Sequence, residues 1–538
     1  MTPKQVFLRE ATGLVREISP FGAFVIGMVA LSMPLAVVFA FSSTPAIFGQ
    51  VHIGLQMLFM AGPVMCWAFV YLMLNAAMPR SGGDYVWLSR IVNPPVGFMA
   101  SILFFFTQIT WLGVIPGVTI LTVTDFLVMS AVAFHSPFLV SIAVPLSTPL
   151  TITSLGMVAL IITAIIFLTG IGNTQRVLMA LFIVGFIGFL SFLFVLFTTP
   201  NNVFVTNFNN LFGTNAASNL VQVAEKNGYS PGWSVNGSLA AGVLGIENMT
   251  GFVWAIYAGG ELKKVTKASW MATVVPGIIG IALYVLTAYA LYGALGYDFI
   301  SGVGYLYNAA SGVVGPSSYL NVSPVSIPSF YVAFLNANPY LVAFIGFSFV
   351  LGVYGAELTT FLLVTRMLFA YSFDRILPTK FAMVSDRFHT PAFSILVCTI
   401  GGAIFTIIAN YTNFYASFFG NVSIDTTVFF MITAIAAIKF PYGKTKHVFD
   451  QAPSIVRKKL AGIPIVVIAG TITFITFLYA TYQAVTNPSL GGTITPSSLT
   501  VSLLLPLLIP IVIYYASKSY HRSKGLDITL AFQEIPPE

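Results

Sequence analysis

The sequence predicts an all-α membrane protein, and three observations carry that prediction. The 538 residues are 57% hydrophobic and only 7% charged, whereas a soluble domain carries roughly 25% charged residues. The apolar residues fall in runs of about 20, the length a helix needs to cross the hydrocarbon core. The basic residues gather in alternate gaps between those runs, the pattern of a chain that crosses repeatedly. Hydrophobicity within each run is continuous rather than alternating, which argues against barrel strands.

Twelve transmembrane helices are expected, near 20–42, 53–78, 92–121, 152–172, 177–198, 237–260, 270–295, 339–371, 391–410, 416–438, 461–486 and 498–517. The segment before them, 1–19, is polar and mixed in charge, unlike a cleavable signal peptide. Numbering the gaps alternately puts Arg16, Arg80, Arg90, Arg176, the cluster Lys263, Lys264 and Lys267, and every later Lys and Arg in one set, with Lys4 and Arg9. That set holds 22 of the 23 basic residues; the other holds Lys226 alone. A missed or invented helix would mix the two sets downstream. Both termini are therefore expected to be cytoplasmic, in a multi-pass protein of the plasma membrane. The expected divisions are 1–19 inside, 20–198 for spans one to five, 199–236 outside, 237–440 for spans six to ten, 441–460 inside, 461–517 for the last two spans and 518–538 inside.

The outside segments 199–236 and 297–338 are long and nearly uncharged. Sequons at Asn236, Asn321 and Asn410 lie in or beside outside segments. A net charge of +7 is accounted for by the inside loops, so no nucleic-acid partner is expected. Cys66 and Cys398 both fall in apolar runs, which leaves no disulfide framework and no metal site. The five histidines are scattered, and P-loop, HExxH and GxSxG signatures are absent. Neither an enzyme nor a cofactor is expected.

Polar residues inside the apolar runs single out candidate functional positions. Span one contains GMVALSMPL, with Gly27, Ser32 and Pro34 at mid-membrane depth. Span six contains GIENMTGFVW (245–254), with Glu247, Asn248, Thr250 and Gly251. Interrupted helices in two halves of a chain point to a transport site, because unwound backbone leaves amides and carbonyls that need a partner. Three acids lie at depth: Glu247, Glu357 and Asp425. Each costs about 2.5–3.5 kcal/mol facing lipid, so each is expected to face the interior. Asp425 has a second reading as the cap of a late-starting span ten. Thr360 lies one helical turn after Glu357, so both are expected to face span one. Thr359 and Thr360 are candidates for an ion site, although a mid-helix threonine often bonds its own backbone.

Three stretches resemble the amino acid–polyamine–organocation (APC) transporters. MPRSGGDYVWLSR (78–90) is similar to that family's P-x-S-G-G-x-Y pattern through Pro79, Ser81, Gly82, Gly83, Tyr85 and Arg90. AGGELKKVTKASWMA (258–272) is similar to its G-E-x-K-N-P segment, without the Asn-Pro. TRMLFAYSFDRILPTKF (365–381) matches its R-x-x-x-A-M-A-R-D-G-x-L-P run at Arg366, Ala370, Asp374, Leu377 and Pro378. The resemblance covers roughly 15–440. It implies two inverted five-helix repeats plus two C-terminal helices, with spans one and six unwound. It also implies a secondary-active carrier of amino acids or related amines, coupled to protons, sodium or exchange. Gly27, Ser32, Glu247, Asn248, Thr250, Gly251, Phe252 and Trp254 would then line the substrate site. Glu357, Thr359, Thr360 and Asp425 would serve coupling. Span one departs from the pattern: Pro34 lacks an amide donor, which shifts weight from carboxylate recognition toward an amine. Span five lacks the lysine of many proton-coupled relatives. The competing readings are a polyamine carrier, a non-transporting solute sensor and a pore.

Overall fold

The computed structural model describes residues 14–309, 318, 323, 325, 327–385, 388–412, 414–491 and 495–532. Lys4, Arg9, Asn321 and Arg387, used above, lie outside the described residues. The protein is an all-α, multi-span membrane protein. Among the described residues eleven helices are long and apolar enough to cross a membrane. The expected sixth crossing is not a continuous helix, and it is the exception that matters most.

Several spans start by the same local device. A polar side chain accepts a backbone N–H of the first turn, and proline occupies the first helical position, where its missing donor costs nothing. Ser19 caps Pro20–Leu31 through Gly22, Asn93 caps Pro94–Ala133 through Val96, and Asn338 caps Pro339–Phe373 through Tyr340 and Leu341. In span two, Ile53–Ala77, the His52 imidazole nitrogen Nδ1 performs the capping.

Span one consists of Pro20–Leu31 and Met33–Phe48, joined at Ser32. Ser32 has φ 39° and ψ 69°, a left-handed conformation that costs a non-glycine residue roughly 1–2 kcal/mol. Its amide donates to the Val29 carbonyl, and its hydroxyl donates to the Gly352 carbonyl of span eight at 2.7 Å. These two bonds hold the kink.

Span six is divided more thoroughly. Two short helices, Val235–Ala240 and Gly242–Glu247, lead into 3-10 stretches at Thr250–Tyr257 and Gly259–Glu261. An eight-residue 3-10 run is long, since such runs rarely exceed three or four residues and in mid-helix often mark a functional hinge. Glycines at 242, 245, 251, 259 and 260 lower the cost of leaving the α-helix.

Three boundaries differ from the sequence reading. Span three continues to Ala133, not 121. Its Thr119, Thr122 and Thr124 hydroxyls bond back to their own helix and so cover their polarity. Span five starts at Ile171 rather than 177, directly after a turn at Gly170 with φ 102°. Segment 199–236 is not simply a loop. It carries helices Asn201–Phe212 and Ala216–Lys226. Phe204, Phe208 and Phe212 recur every fourth residue and pack against Phe299, Tyr331 and Phe334. That stripe was present in the sequence and is obscured by the surrounding asparagines.

Candidate functional site: a cavity between the two broken spans

The breaks in spans one and six meet. A Cβ on Gly251 would lie 2.1 Å from the Ala30 carbonyl oxygen. Only glycine permits that approach. Around the junction is a cavity lined by residues of both breaks. Spans one, three, six, eight and ten all contribute to its walls.

The polar lining is sparse, and half of it is on span six. Glu247, Asn248 and Thr250 line the cavity with Gly251 and Trp254; Thr360 comes from span eight, Gln108 from span three and Thr426 from span ten. Phe39 and Trp111 form an edge-to-face pair on its wall, 5.7 Å apart. Among the described residues, Glu247 Oε1 and Gln108 Oε1 are buried without a hydrogen-bond partner, although the Glu247 carboxylate also bonds to Ser423. Among the described residues no Lys or Arg lines the cavity. Asn248 donates to the Tyr284 hydroxyl of span seven at 3.2 Å, and the Thr250 hydroxyl donates to the Glu247 carbonyl. The Trp254 indole nitrogen faces the Thr360 hydroxyl at 3.5 Å.

Other expected site residues are placed elsewhere. Gly27 faces span seven, where a Cβ would meet the Ala272 carbonyl at 2.5 Å. Ser32 is engaged with Gly352 and lines a separate apolar cleft against span five. Phe252 packs on Trp67, 4.8 Å between centroids, and is fully buried. Glu357 does not face span one. Its Oε1 accepts the Thr163 hydroxyl of span four at 2.9 Å, while Oε2 has no partner. The Thr359 hydroxyl donates to the Gly355 and Ala356 carbonyls of its own helix. Asp425 is buried with Oδ1 unpartnered. The helix containing it begins at Phe414, so Asp425 is no cap.

The sequence reading also missed residues. Gln108 and Trp111 sit in an apolar run whose lone glutamine was the available signal. Asp125, with Oδ2 unpartnered, fell beyond the expected end of span three.

Beyond the cavity, the three stretches that carry the family resemblance converge. The Arg366 guanidinium grips the Glu261 carboxylate with two bonds, 2.7 and 3.0 Å, both side chains being buried. Arg90 holds Asp374 at 2.9 Å, and Arg80 approaches the same carboxylate at 3.5 Å. Burial pushes the Asp374 carboxyl up, but the two guanidinium groups outweigh it and hold it below the usual range. Gly82 and Gly83 have φ of 104° and 53°. A Cβ on Gly83 would lie 2.9 Å from the Tyr257 ring, and the Gly82 amide donates to the Tyr257 carbonyl. Ser81, two residues after Pro79, pairs with Ala258 in an isolated antiparallel bridge. Tyr85 packs edge-on against Tyr371, 5.0 Å away. Ile18 and Leu262 bridge as well, fastening the N-terminal segment to the end of span six.

The family model for amino acid permeases matches residues 21–509. No curated protein matches the chain. A match over nine-tenths of the length, on an all-α multi-span fold, places the chain: it belongs to the amino acid permease family of the APC superfamily, and is a multi-pass membrane transporter of amino acids or amines.

Proposed function

We propose that the chain is a secondary-active carrier whose substrate binds in the cavity between the broken spans and is released by alternating access. The observation that carries this reading is the cavity's chemistry. An unpaired carboxylate oxygen, two amides and three hydroxyls lie around the junction of two interrupted helices, with no basic side chain among the described lining residues. A lone acid in such a wall is complemented by a cation. The substrate's ammonium group therefore sits at Glu247, with Asn248, Thr250 and Thr360 oriented to its polar remainder. The trap for a carboxylate is weak, because Pro34 has no amide and the Ser32 amide and hydroxyl are both taken. An amine, or an amino acid held mainly by its ammonium group, fits best.

Protons are the favoured coupling ion, since Glu247, Glu357 and Asp425 are intramembrane acids with an unpartnered oxygen each. The paired-hydroxyl sodium reading has less support, because Thr360 lines the cavity and Thr359 is not among its lining residues. The bias of basic residues supports cytoplasmic termini and a plasma-membrane location. The test is uptake into proteoliposomes with a panel of radiolabelled amino acids and amines. Saturable uptake with counterflow is expected. Flux without saturation would indicate a pore, and binding without flux a sensor.

A further inference from the structure

Asp84 opens the short helix Asp84–Ile91 that follows Gly83 after span two, and nothing in the transport reading uses it. Its carboxylate is fully buried. Three hydroxyls from three other elements converge on it. Tyr71 of span two donates to both oxygens at 2.7 and 2.8 Å, Tyr257 of broken span six donates at 2.6 Å, and Thr433 of span ten donates at 2.6 Å. The nearby charges are committed elsewhere: Arg366 to Glu261, and Arg80 and Arg90 to Asp374. Tyr371 of span eight is the remaining titratable group that acts on Asp84. A buried carboxyl without a cation, enclosed by hydroxyls, is suited to both protonation forms, because a hydroxyl donates or accepts as required. Thr433 supplies the switch. Its hydroxyl also lies 3.4 Å from the Phe429 carbonyl, so it can donate there and accept a proton from Asp84 instead.

We propose that Asp84 is a proton-binding residue of the latch that closes the inner end of span six, holding a proton more tightly while it is packed on Tyr257 than when the two separate. This rests on the carrier reading and adds to it a coupling residue outside the membrane spans. The direction follows from linkage. Burial pushes the Asp84 carboxyl up, and the hydroxyls of Thr433, Tyr257 and Tyr71 pull it partly back, leaving it at about 6. In water it returns to the ordinary carboxylate value of about 3.9. A proton therefore favours the packed state, and raising the pH through 6 favours separation. Between those two values each opening would release a proton on that side; above pH 6 the packed carboxyl is already largely ionised.

The test needs no substrate. Hydrogen exchange of the full-length protein in lipid vesicles is followed over segments 78–92 and 250–262 from pH 5 to 8, corrected for intrinsic rates. The protein is expected to show about tenfold faster opening at pH 7.5 than at pH 5, with a midpoint near 6. Asp84→Asn, which mimics the neutral form, is expected to open slowly throughout, with no pH step. Thr433→Val removes a donor to the carboxylate and is expected to move the midpoint upward. A pH step retained in Asp84→Asn would overturn the proposal. Should that variant not fold, an unmoved midpoint in Thr433→Val would overturn it equally. Failure of transport with an intact pH step would count against the carrier reading and leave the latch standing.

Discussion

The cavity and the cluster beyond it share spans six and eight but hold their polar groups differently. Around the cavity, Glu247 Oε1 and Gln108 Oε1 are buried without partners, and the backbone of two spans is interrupted. In the cluster, Arg366, Glu261, Arg90 and Asp374 are equally buried, yet each carries a charge-assisted bond. A buried polar atom left unpaired costs about 1–3 kcal/mol. Both regions hold such atoms, Arg90 Nε being one in the cluster, but in the cluster each buried acid is paired with a guanidinium group. The difference separates residues that bind from residues that close.

The largest effect is expected in the cluster. Arg366→Ala strands a buried carboxylate at Glu261 and should destabilise the protein by about 3–5 kcal/mol, read as a fall in thermal unfolding temperature in lipid vesicles. The double change Arg366→Met with Glu261→Met should recover most of that loss. A single variant of near-normal stability would break the distinction between the two regions.

Next comes the junction of the broken spans. Gly251→Ala places a methyl group 2.1 Å from the Ala30 carbonyl, which must separate spans one and six. Overpacking of this kind costs about 1–3 kcal/mol. Uptake should fall well below a tenth of normal while the protein still inserts; normal uptake would mean that the close contact is incidental. Gly83→Val meets the Tyr257 ring in the same manner at the inner loop and should slow cycling with expression intact.

Glu247→Gln should leave stability within about 1 kcal/mol, since Oε1 makes no bond to lose. Affinity for a cationic substrate should drop by about 10- to 100-fold, as the loss of one charge-assisted bond implies. Unaltered affinity and selectivity, measured by equilibrium binding, would remove Glu247 from the site. The smallest contrast sharpens the assignment on span eight. Thr360→Val should weaken binding a few-fold, whereas Thr359→Val, whose hydroxyl serves its own helix, should change affinity by less than twofold.

Much of the site was readable before any coordinates. Glu247, Asn248, Thr250 and Gly251 stand out because polar residues and glycine are conspicuous in an apolar span, and Trp254 follows from the family resemblance; all five line the cavity. Glu357 was equally conspicuous, but depth does not specify direction. A helix has faces toward several neighbours, and only packing turns Glu357 toward Thr163 instead of span one. Asp84 was hidden for a different reason: next to two glycines in a loop it reads as an ordinary turn residue.

By itself, the sequence determined the all-α membrane class, the breaks in spans one and six, and the stretches of family likeness. These follow from local composition, because lipid selects apolar helices and proline, glycine and buried polar groups interrupt them. Tertiary structure alone decided which polar atoms found partners. The pairing of Arg366 with Glu261 joins residues 105 positions apart, and that of Arg90 with Asp374 joins residues 284 apart. Such pairings depend on how helices cross, and helix crossing is set by side-chain packing over the whole bundle, which no single stretch of sequence encodes.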